Sequence, residues 1–477
     1  MKNFLKILYV SILCYLFVLG CSVIGEAAEN TLVIENMKVN NLSEPLGIDS
    51  EYPIFSWNLY DPGTRGQKQT SYRIMLALSE DDLTNGIYVW DSGVIRSAET
   101  ANITYSGDTL EASTRYFWQL EIGDKDGNKV SSEISWFETG LMDSGWSNAK
   151  WIAKTDLDST ESVTDSSPMF RKEFSTASGK TVANARLYFT SAGIYRAFIN
   201  GEKVTDSYLN PGMTAYDDHI MYQTYDVTEL VANDENAIGV YLGHGWWDRA
   251  LRNFGARLHI YGKLLIEYTD GTSDVIVTDD SWKFYRFGPI LDDDIFNGFK
   301  FDGTVEEAME GWNKPGYDDS EWEAVMVSAA NELVSNKKTP VIIAQNIPLI
   351  KNTMTLDALS VTEPKDGVYV YDFGQNIAGV VRITATAPKG TTIKLRHAES
   401  LNKENMSGAD GDPGTIFTAN LPRAEATDTY VFKGDPNGET FEPFFTYHGF
   451  RYLEITGIDE PLPLEDVKAL LIMSDLE

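Results

Sequence analysis

The chain is long, strongly acidic and nearly free of cysteine. Its 477 residues include 71 Asp or Glu and 39 Lys or Arg, for a formal charge of −32. The acidic residues are spread along the chain and no basic stripe is present, which excludes nucleic acid as an expected partner. At ~100–200 residues per domain, this length predicts about three domains.

Residues 1–28 have the pattern of a secretory signal peptide, with two lysines before an apolar run that is too short to span a membrane. Two processing sites compete. Val18-Leu19-Gly20-Cys21 resembles a bacterial lipobox with Cys21 as the lipidated residue, and Gly25-Glu26-Ala27 suits ordinary signal peptidase. We favour lipidation and expect a secreted or cell-envelope protein whose membrane contact is only the lipid anchor. Both cysteines lie in this segment, so no disulfide is expected in the mature chain.

The first predicted domain covers residues 30–145. Segments such as YPIFSWNL, SYRIMLALS and RYFWQLEIGD alternate apolar and polar residues between turn residues, which predicts an antiparallel β-sandwich. The aromatic pattern resembles a fibronectin type III domain. We expect these rings in the core: Trp57, Tyr72, Trp90, Tyr116, Trp118 and Phe137.

The second predicted domain covers residues 146–328 and the third residues 338–477. Strand-like segments separated by turn dipeptides such as Asn200-Gly201 make the second a jelly-roll or galactose-binding-like sandwich. Helical turns are expected only near Val227–Leu230 and Val305–Met309. The predicted fold class is therefore all-β, with tandem β-sandwiches.

Several motifs together resemble the N-terminal half of bacterial α-L-rhamnosidases of glycoside hydrolase family 78. They are LNPGMTAYDDHIMYQTYDVTEL, GHGWWDRA, GPILDDDIFNGFKFDG, YDFGQNIAGVVRI, LRHAESL, ATDTYVFKG and EPFFTYHGFRYLEITG. The resemblance implies a fibronectin-like domain, a rhamnosidase N-terminal domain and a concanavalin-like β-sandwich. It also implies an (α/α)6 barrel that carries catalysis, and no segment with that pattern follows in this sequence.

Inverting glycoside hydrolysis needs two carboxylates about 6.5–9.5 Å apart. The acid-rich run that supplies them in the family barrel has no equivalent here, so we assign no catalytic residue and expect the chain alone to be inactive. The histidines show no local metal-ligand spacing. They are His219, His244, His259, His397 and His448.

Carbohydrate binding is predicted at Trp246, Trp247, Asp248 and Arg249, because aromatic rings cover sugar C–H faces and planar polar groups bind hydroxyls. The alternative is that one tryptophan fills the core and the other faces outward by strand alternation.

Calcium is the one cofactor that the resemblance implies, bridging the second domain to sugar hydroxyls through an Asp-Asn pair. Asn200 matches the Asn of that pair, but Ile199 stands where the Asp is expected. Asp292, Asp294 and Asn297 offer the oxygen ligands that calcium prefers, and a solvated acidic turn is the alternative.

The predicted function is the non-catalytic N-terminal portion of a secreted α-L-rhamnosidase, whose parent activity is hydrolysis of terminal α-L-rhamnose. Rhamnose-containing glycans are the expected partners. The alternative is a stand-alone, surface-anchored carbohydrate-binding or adhesion protein. In either case we expect Phe444, Tyr447 and Phe450 to leave an apolar patch uncovered.

Overall fold

Strands dominate the computed structural model, which describes residues 32–142, 145–156, 166–249, 254–255, 257–421 and 423–476. The predicted signal peptide and Cys21 lie outside these residues. Within the described part of the chain, no helix has the length and apolar character needed to cross a membrane. The all-β prediction is confirmed, since the longer of the two α-helices described has 6 residues.

The strands follow one another along the whole chain. Those of the first third are β1 (Val33–Val39), β2 (Leu46–Ile48), β3 (Ile54–Tyr60), β4 (Ser71–Ala77), β5 (Trp90–Asp91), β6 (Ile103–Thr104), β7 (Arg115–Gly123), β8 (Lys129–Ser131) and β9 (Ser135–Thr139). Those of the middle are β10 (Trp151–Ala153), β11 (Met169–Ser175), β12 (Val182–Ala192), β13 (Ile194–Ile199), β14 (Glu202–Lys203), β15 (His219–Asp226), β16 (Glu235–Gly243), β17 (His259–Tyr268), β18 (Ser273–Val277), β19 (Lys283–Tyr285), β20 (Ile290–Asp294), β21 (Gly298–Asp302), β22 (Glu323–Ala324), β23 (Met326–Ser328) and β24 (Val341–Ala344). Those of the last part are β25 (Ile350–Asp357), β26 (Ser360–Lys365), β27 (Val368–Ala385), β28 (Thr392–Ala398), β29 (Ser400–Leu401), β30 (Ile416–Phe417), β31 (Thr427–Val431), β32 (Glu439–Phe441), β33 (His448–Thr456) and β34 (Val467–Ser474).

Helical segments are short. The α-helices are α1 (Glu80–Thr84) and α2 (Gly303–Ala308), and the 3-10 turns are Thr228–Leu230, Ala330–Glu332 and Leu464–Asp466. Helix α2 begins after Asp302, whose side chain accepts a hydrogen bond from the N–H of Thr304 and so caps the first turn. Both helical turns expected from the sequence are therefore present.

The first of two compact units contains residues 52–108, residues 116–136 and the stretch that ends at Ser43. In it β3 pairs with β1 and β6, and β7 pairs with β4 and β8, all antiparallel. Trp57, Tyr116 and Trp118 are buried as expected, and Tyr72 is half-buried with its ring edge against Trp57.

The second unit contains Glu44–Glu51, Thr109–Arg115 and Phe137–Glu477. One sheet has the order β23-β10-β17-β12-β15-β24 and another the order β14-β13-β16-β11-β19-β22. Apolar residues of both sheets, such as Phe170 and Phe189, share one core with Trp247 of the loop after β16. A third sheet, β20-β21-β31-β28-β33-β27-β34-β25, contributes to a second core.

The hairpin β20–β21 crosses the boundary expected between the second and third domains. Although it precedes residue 328, β21 pairs in parallel with β31, matching Phe301 with Tyr430. Phe299 of the hairpin packs against Phe444 and Phe445, with ring centroids 4.7 and 6.2 Å apart. The hairpin thus belongs to the third sheet, although we expected the third domain to contain only residues 338–477.

The expected apolar patch is not found. Phe444 is 7% exposed and Phe450 is fully buried. The guanidinium of Arg196 lies 3.8 Å from the ring centroid of Phe444, and Phe299 covers another side of it. The prediction was wrong for Phe444, which β13 and the β20–β21 hairpin cover, and for Phe450, whose ring packs against Phe373 and His397, while Tyr447 is half-buried.

Candidate functional site

The predicted sugar-binding loop follows β16, and its two tryptophans have different environments. Trp247 is fully buried: its Nε1–H donates to the carbonyl of Arg257, and its ring lies 5.3 Å from that of Tyr216. Trp246 is half-buried and packs against both cores of the second unit. Trp247 is therefore the core tryptophan that the alternative to sugar binding expected, and it offers no free face to a sugar. Sugar contact by Trp246 stays a prediction.

Arg249 and Asp292 form an ion pair at the surface beside this loop. Arg249 is exposed and donates to Asp292 at 2.6 Å and to the carbonyl of Asp293 at 3.0 Å, while Lys300 reaches the other oxygen of Asp292 at 3.1 Å. Burial raises the pKa of Asp292, but the hydrogen bonds and charges of Arg249 and Lys300 outweigh this and lower it.

The residues predicted to bind calcium have other partners. Two cations compete with calcium for Asp292. Asp294 accepts hydrogen bonds from the N–H groups of Phe296 and Asn297, which closes the turn between β20 and β21. Asn297 accepts from the N–H of Glu425. Their oxygens thus stabilise an ion pair, a turn and a strand contact, and calcium binding by these residues stays a prediction.

Asn200 also has a structural role. It occupies the β13–β14 turn with φ +52°, followed by Gly201 with φ +93°, as a two-residue hairpin requires. Its amide donates to the carbonyl of Leu230 and to Asn236, and its carbonyl accepts from the N–H of Ala237. Both polar atoms of the Asn200 side chain thus have partners within the fold, and its role as a sugar or calcium ligand stays a prediction.

A buried polar centre lies beneath the loop. The Asp293 carboxylate is fully buried and accepts from the N–H of His244 at 2.6 Å, from the His244 ring at 3.0 Å and from the hydroxyl of Ser167. Burial raises the pKa of Asp293, but the charge of His244 and these hydrogen bonds outweigh it and lower the pKa. Asp248, of the predicted sugar site, has a buried Oδ1 without a hydrogen-bond partner, and burial raises its pKa.

A cleft of about 660 Å³ opens between strands β13 and β16, helix α2 and the loop after β31. Three aromatic residues form part of its wall, and Phe198 meets Tyr241 and Trp312 edge-on at 5.7 and 5.9 Å. The polar lining residues are Glu306, Glu307, Glu310, Asn313, Lys433 and Asp435. A cleft of this volume is large enough for a small ligand, and its lining combines aromatic rings with polar side chains.

Glu306 and Asp435 are the half-buried carboxylates of the cleft. The pKa of Glu306 is shifted. Burial raises its pKa, Lys433 at 3.9 Å opposes that shift, and Glu439 adds to it. Sequence reasoning missed the cleft, although the segment EEAMEGW carries the relevant signal: a capped helical turn places Glu306 and Glu307 before Trp312.

Two histidines and an aspartate meet inside the third sheet. His397 on β28, Asp428 on β31 and His448 on β33 are all buried, and their ligand atoms lie within 4.8 Å of one another. Among the residues that the structure describes, this is the one such group of three His, Cys, Asp or Glu side chains. A search for local spacing could not find it, because the residues lie on separate strands that the sheet brings together.

The fold defines a multidomain β-sandwich assembly, and comparisons with known proteins identify its family. Three family models match: a Rha78A-like N-terminal immunoglobulin domain at residues 34–143, an α-L-rhamnosidase N-terminal domain at 180–345 and a bacterial α-L-rhamnosidase concanavalin-like domain at 362–473. The chain belongs, through these three domains, to the bacterial α-L-rhamnosidase family, as the sequence motifs predicted.

Similar proteins are α-L-rhamnosidases. One from Formosa agariphila is 32% identical over 99% of this chain and 51% of its own length. The structure of the enzyme from Dictyoglumus thermophilum matches with a TM-score of 0.82, 34% identity, and coverage of 93% of this chain and 49% of that one. The structure of the Streptomyces avermitilis enzyme complexed with L-rhamnose matches with a TM-score of 0.84 and 28% identity, covering 93% of this chain and 57% of that one. This chain thus spans about half the length of the curated relatives it matches.

Proposed function

We propose that this chain is the non-catalytic N-terminal portion of an exported α-L-rhamnosidase, and that its own activity is weak binding of rhamnose-containing glycans. The observation that carries the proposal is the order of the three matched domains, which extends over most of the chain. The parent activity would be removal of terminal α-L-rhamnose. The chain by itself should not hydrolyse an aryl α-L-rhamnoside above the buffer rate.

Export and lipidation at Cys21 are part of this proposal, supported by the apolar segment and the Val18-Leu19-Gly20-Cys21 motif. Radiolabelled palmitate should be incorporated into the wild-type chain in bacteria and not into Cys21→Ser. Labelling of neither protein, with export intact, would favour the competing cleavage after Ala27.

The cleft offers the chemistry for sugar binding. L-Rhamnose has a methyl group and C–H faces that pack on aromatic rings, and hydroxyls that bind carboxylates, amides and ammonium groups. Phe198 and Trp312 supply the first kind of contact, and Glu306, Asn313 and Lys433 supply the second. Glu306 is half-buried at the wall of the cleft, where its carboxylate can accept hydrogen bonds from sugar hydroxyls.

Calorimetric titration with L-rhamnose tests the binding and its location. We expect heat at millimolar sugar, and a loss of affinity of about tenfold in Phe198→Leu, which removes one aromatic contact. Trp246→Leu is the matched control: it shortens another half-buried aromatic residue, in the loop first predicted to bind sugar. Parallel titrations with chelator and with calcium test the implied cofactor.

Each outcome of the titration is decisive. Loss of affinity in Trp246→Leu with Phe198→Leu unchanged would move the site to the loop after β16. No heat with the wild-type chain, with or without calcium, would remove the binding activity and leave the chain a scaffold. An equal response to D-glucose would contradict recognition of rhamnose.

A further inference from the structure

We propose that His397, Asp428 and His448 bind a divalent transition-metal ion, with Zn²⁺ as the best match, which joins three strands of the third sheet. Two imidazoles and one carboxylate are a donor set that Zn²⁺ favours. This inference does not depend on the proposed sugar binding, because the group lies in the sheet interior and none of its members lines the cleft.

The hydrogen bonds of His397 fix its tautomer. Its Nδ1 lies 3.0 Å from the carbonyl of Ala426, and a carbonyl can only accept, so Nδ1 carries the proton. With the proton on Nδ1, the Nε2 atom of the neutral ring carries a lone pair. A metal-bound histidine usually donates its other N–H in this way.

The Nε2 atom of His397 is buried without a hydrogen-bond partner. The nearest oxygen of Asp428 lies 3.8 Å away, too far for a hydrogen bond, and two lone-pair atoms face each other there. Buried polar atoms of native proteins rarely lack a partner, and an orphan acceptor beside a carboxylate indicates a missing positive charge. A cation between these atoms would satisfy both.

The third ligand is already close to the other two. Nε2 of His448 lies 3.2 Å from both oxygens of Asp428, and the two imidazole rings have centroids 4.1 Å apart. Ligands about 2.1 Å from a tetrahedral Zn²⁺ lie about 3.4 Å from one another. The three ligand atoms lie within 4.8 Å of one another here, so the more distant ones would have to approach by up to about 1.4 Å to seat the ion.

The surroundings resemble the outer shell of a structural metal site. The N–H of Phe299 donates to Asp428 at 2.9 Å and orients the carboxylate. Phe450 packs edge-on against His397 at 4.9 Å and keeps that side apolar. Because the ligands come from β28, β31 and β33, the ion would stabilise the sheet in a chain for which no disulfide is expected.

Metal content tests the proposal. The full chain, produced in defined medium with Zn²⁺ and purified without chelators, should hold about one Zn²⁺ per chain by plasma mass spectrometry. The metal content of His397→Gln and of His448→Gln should be at least about 10-fold lower than that of the wild type. Removing a ligand weakens metal binding at least as much as removing an outer-shell partner does. His259→Gln is the matched control: His259 is also buried, but both its ring nitrogens have partners, and this variant should keep the metal.

A second measurement does not depend on the variants folding. Chelator treatment of the wild-type chain should lower the melting temperature by several degrees and Zn²⁺ should restore it, because a ligand of the native state stabilises that state. Co²⁺ in place of Zn²⁺ should give the visible absorption of a low-coordinate site. A wild-type Zn²⁺ content far below one ion, or the same content in folded His397→Gln, would overturn the proposal.

Discussion

The second unit contains two buried carboxylate centres with similar residues and different hydrogen bonding. Asp293 and Asp428 are both fully buried, each contacts histidine, and each accepts a main-chain N–H, from His244 and Phe299 respectively. Both oxygens of Asp293 have hydrogen-bond partners. One accepts from the main-chain N–H of His244, and the other contacts the His244 ring nitrogen and the Ser167 hydroxyl. Around Asp428 the second histidine, His397, brings a lone pair instead of a proton.

The comparison shows that residue types alone do not separate a structural centre from a binding centre. A satisfied buried network holds strands in place and needs nothing further. A buried network with an orphan acceptor needs a proton or an ion to be stable. The state of each ring nitrogen therefore decides which centre binds a ligand.

The largest effect is expected from Asp293→Ala. The variant leaves two donors of His244 and the hydroxyl of Ser167 without their acceptor, and removing one partner of a buried pair costs about 3–5 kcal/mol. Urea unfolding of the second unit, followed by circular dichroism, measures the loss. Ser167→Ala, which removes a single hydrogen bond, should cost only about 1 kcal/mol.

Metal should not alter that loss. Adding Zn²⁺ should not change the difference between the urea midpoints of wild type and Asp293→Ala, because the Asp293 centre is complete without an ion. A destabilisation below about 1 kcal/mol, or one that Zn²⁺ repairs, would break the distinction between the two centres.

The sequence predicted the parts of the molecule that local patterns determine. Alternation and turn residues predicted the strands, and the helical turn expected near Val305 is present, where Asp302 caps it. The sequence also indicated that one of two adjacent tryptophans faces the core, but strand alternation cannot tell which, and Trp247 is the buried one. In each case the signal lies within a few residues.

The rest depends on contacts between distant segments. His397, Asp428 and His448 are brought together by the pairing of β28 with β31 and β33. The cleft needs Phe198 and Lys433 from two different sheets or their loops. The burial of Phe444 depends on Arg196 and on a hairpin that pairs with a later strand. No local period in the sequence encodes these pairings.

A smaller, pH-dependent effect is expected at His259, a buried histidine whose two ring nitrogens both have partners. Burial lowers the pKa of His259 from 6.5 to about 4. Between these values the unfolded chain binds a proton that the folded chain does not, so stability falls as pH falls from 6.5 to about 4. Across this window the loss amounts to about 3 kcal/mol at most.

Urea midpoints at several pH values compare wild type with His259→Gln. The variant should lose less stability than wild type between pH 6.5 and about 4, because its amide does not titrate. Parallel curves for the two proteins would show that His259 titrates normally in the folded state, and would put it outside the class of complete, neutral networks.

The smallest effect is expected one residue away from the largest. Asp292 and Asp293 are adjacent on β20, but the side chain of Asp292 is 37% exposed, as is 39% of that of its partner Arg249. Exposed ion pairs contribute about 0–1 kcal/mol because water and salt screen them. Arg249→Ala should therefore shift the urea midpoint only slightly, and the shift should shrink further at high salt.

A loss near that of Asp293→Ala would mean that Arg249 acts mainly through the carbonyl of Asp293, 3.0 Å away, as part of the buried centre. The acidic run from Asp292 to Asp294 would then be one cooperative structure rather than a surface pair, a buried centre and a turn cap.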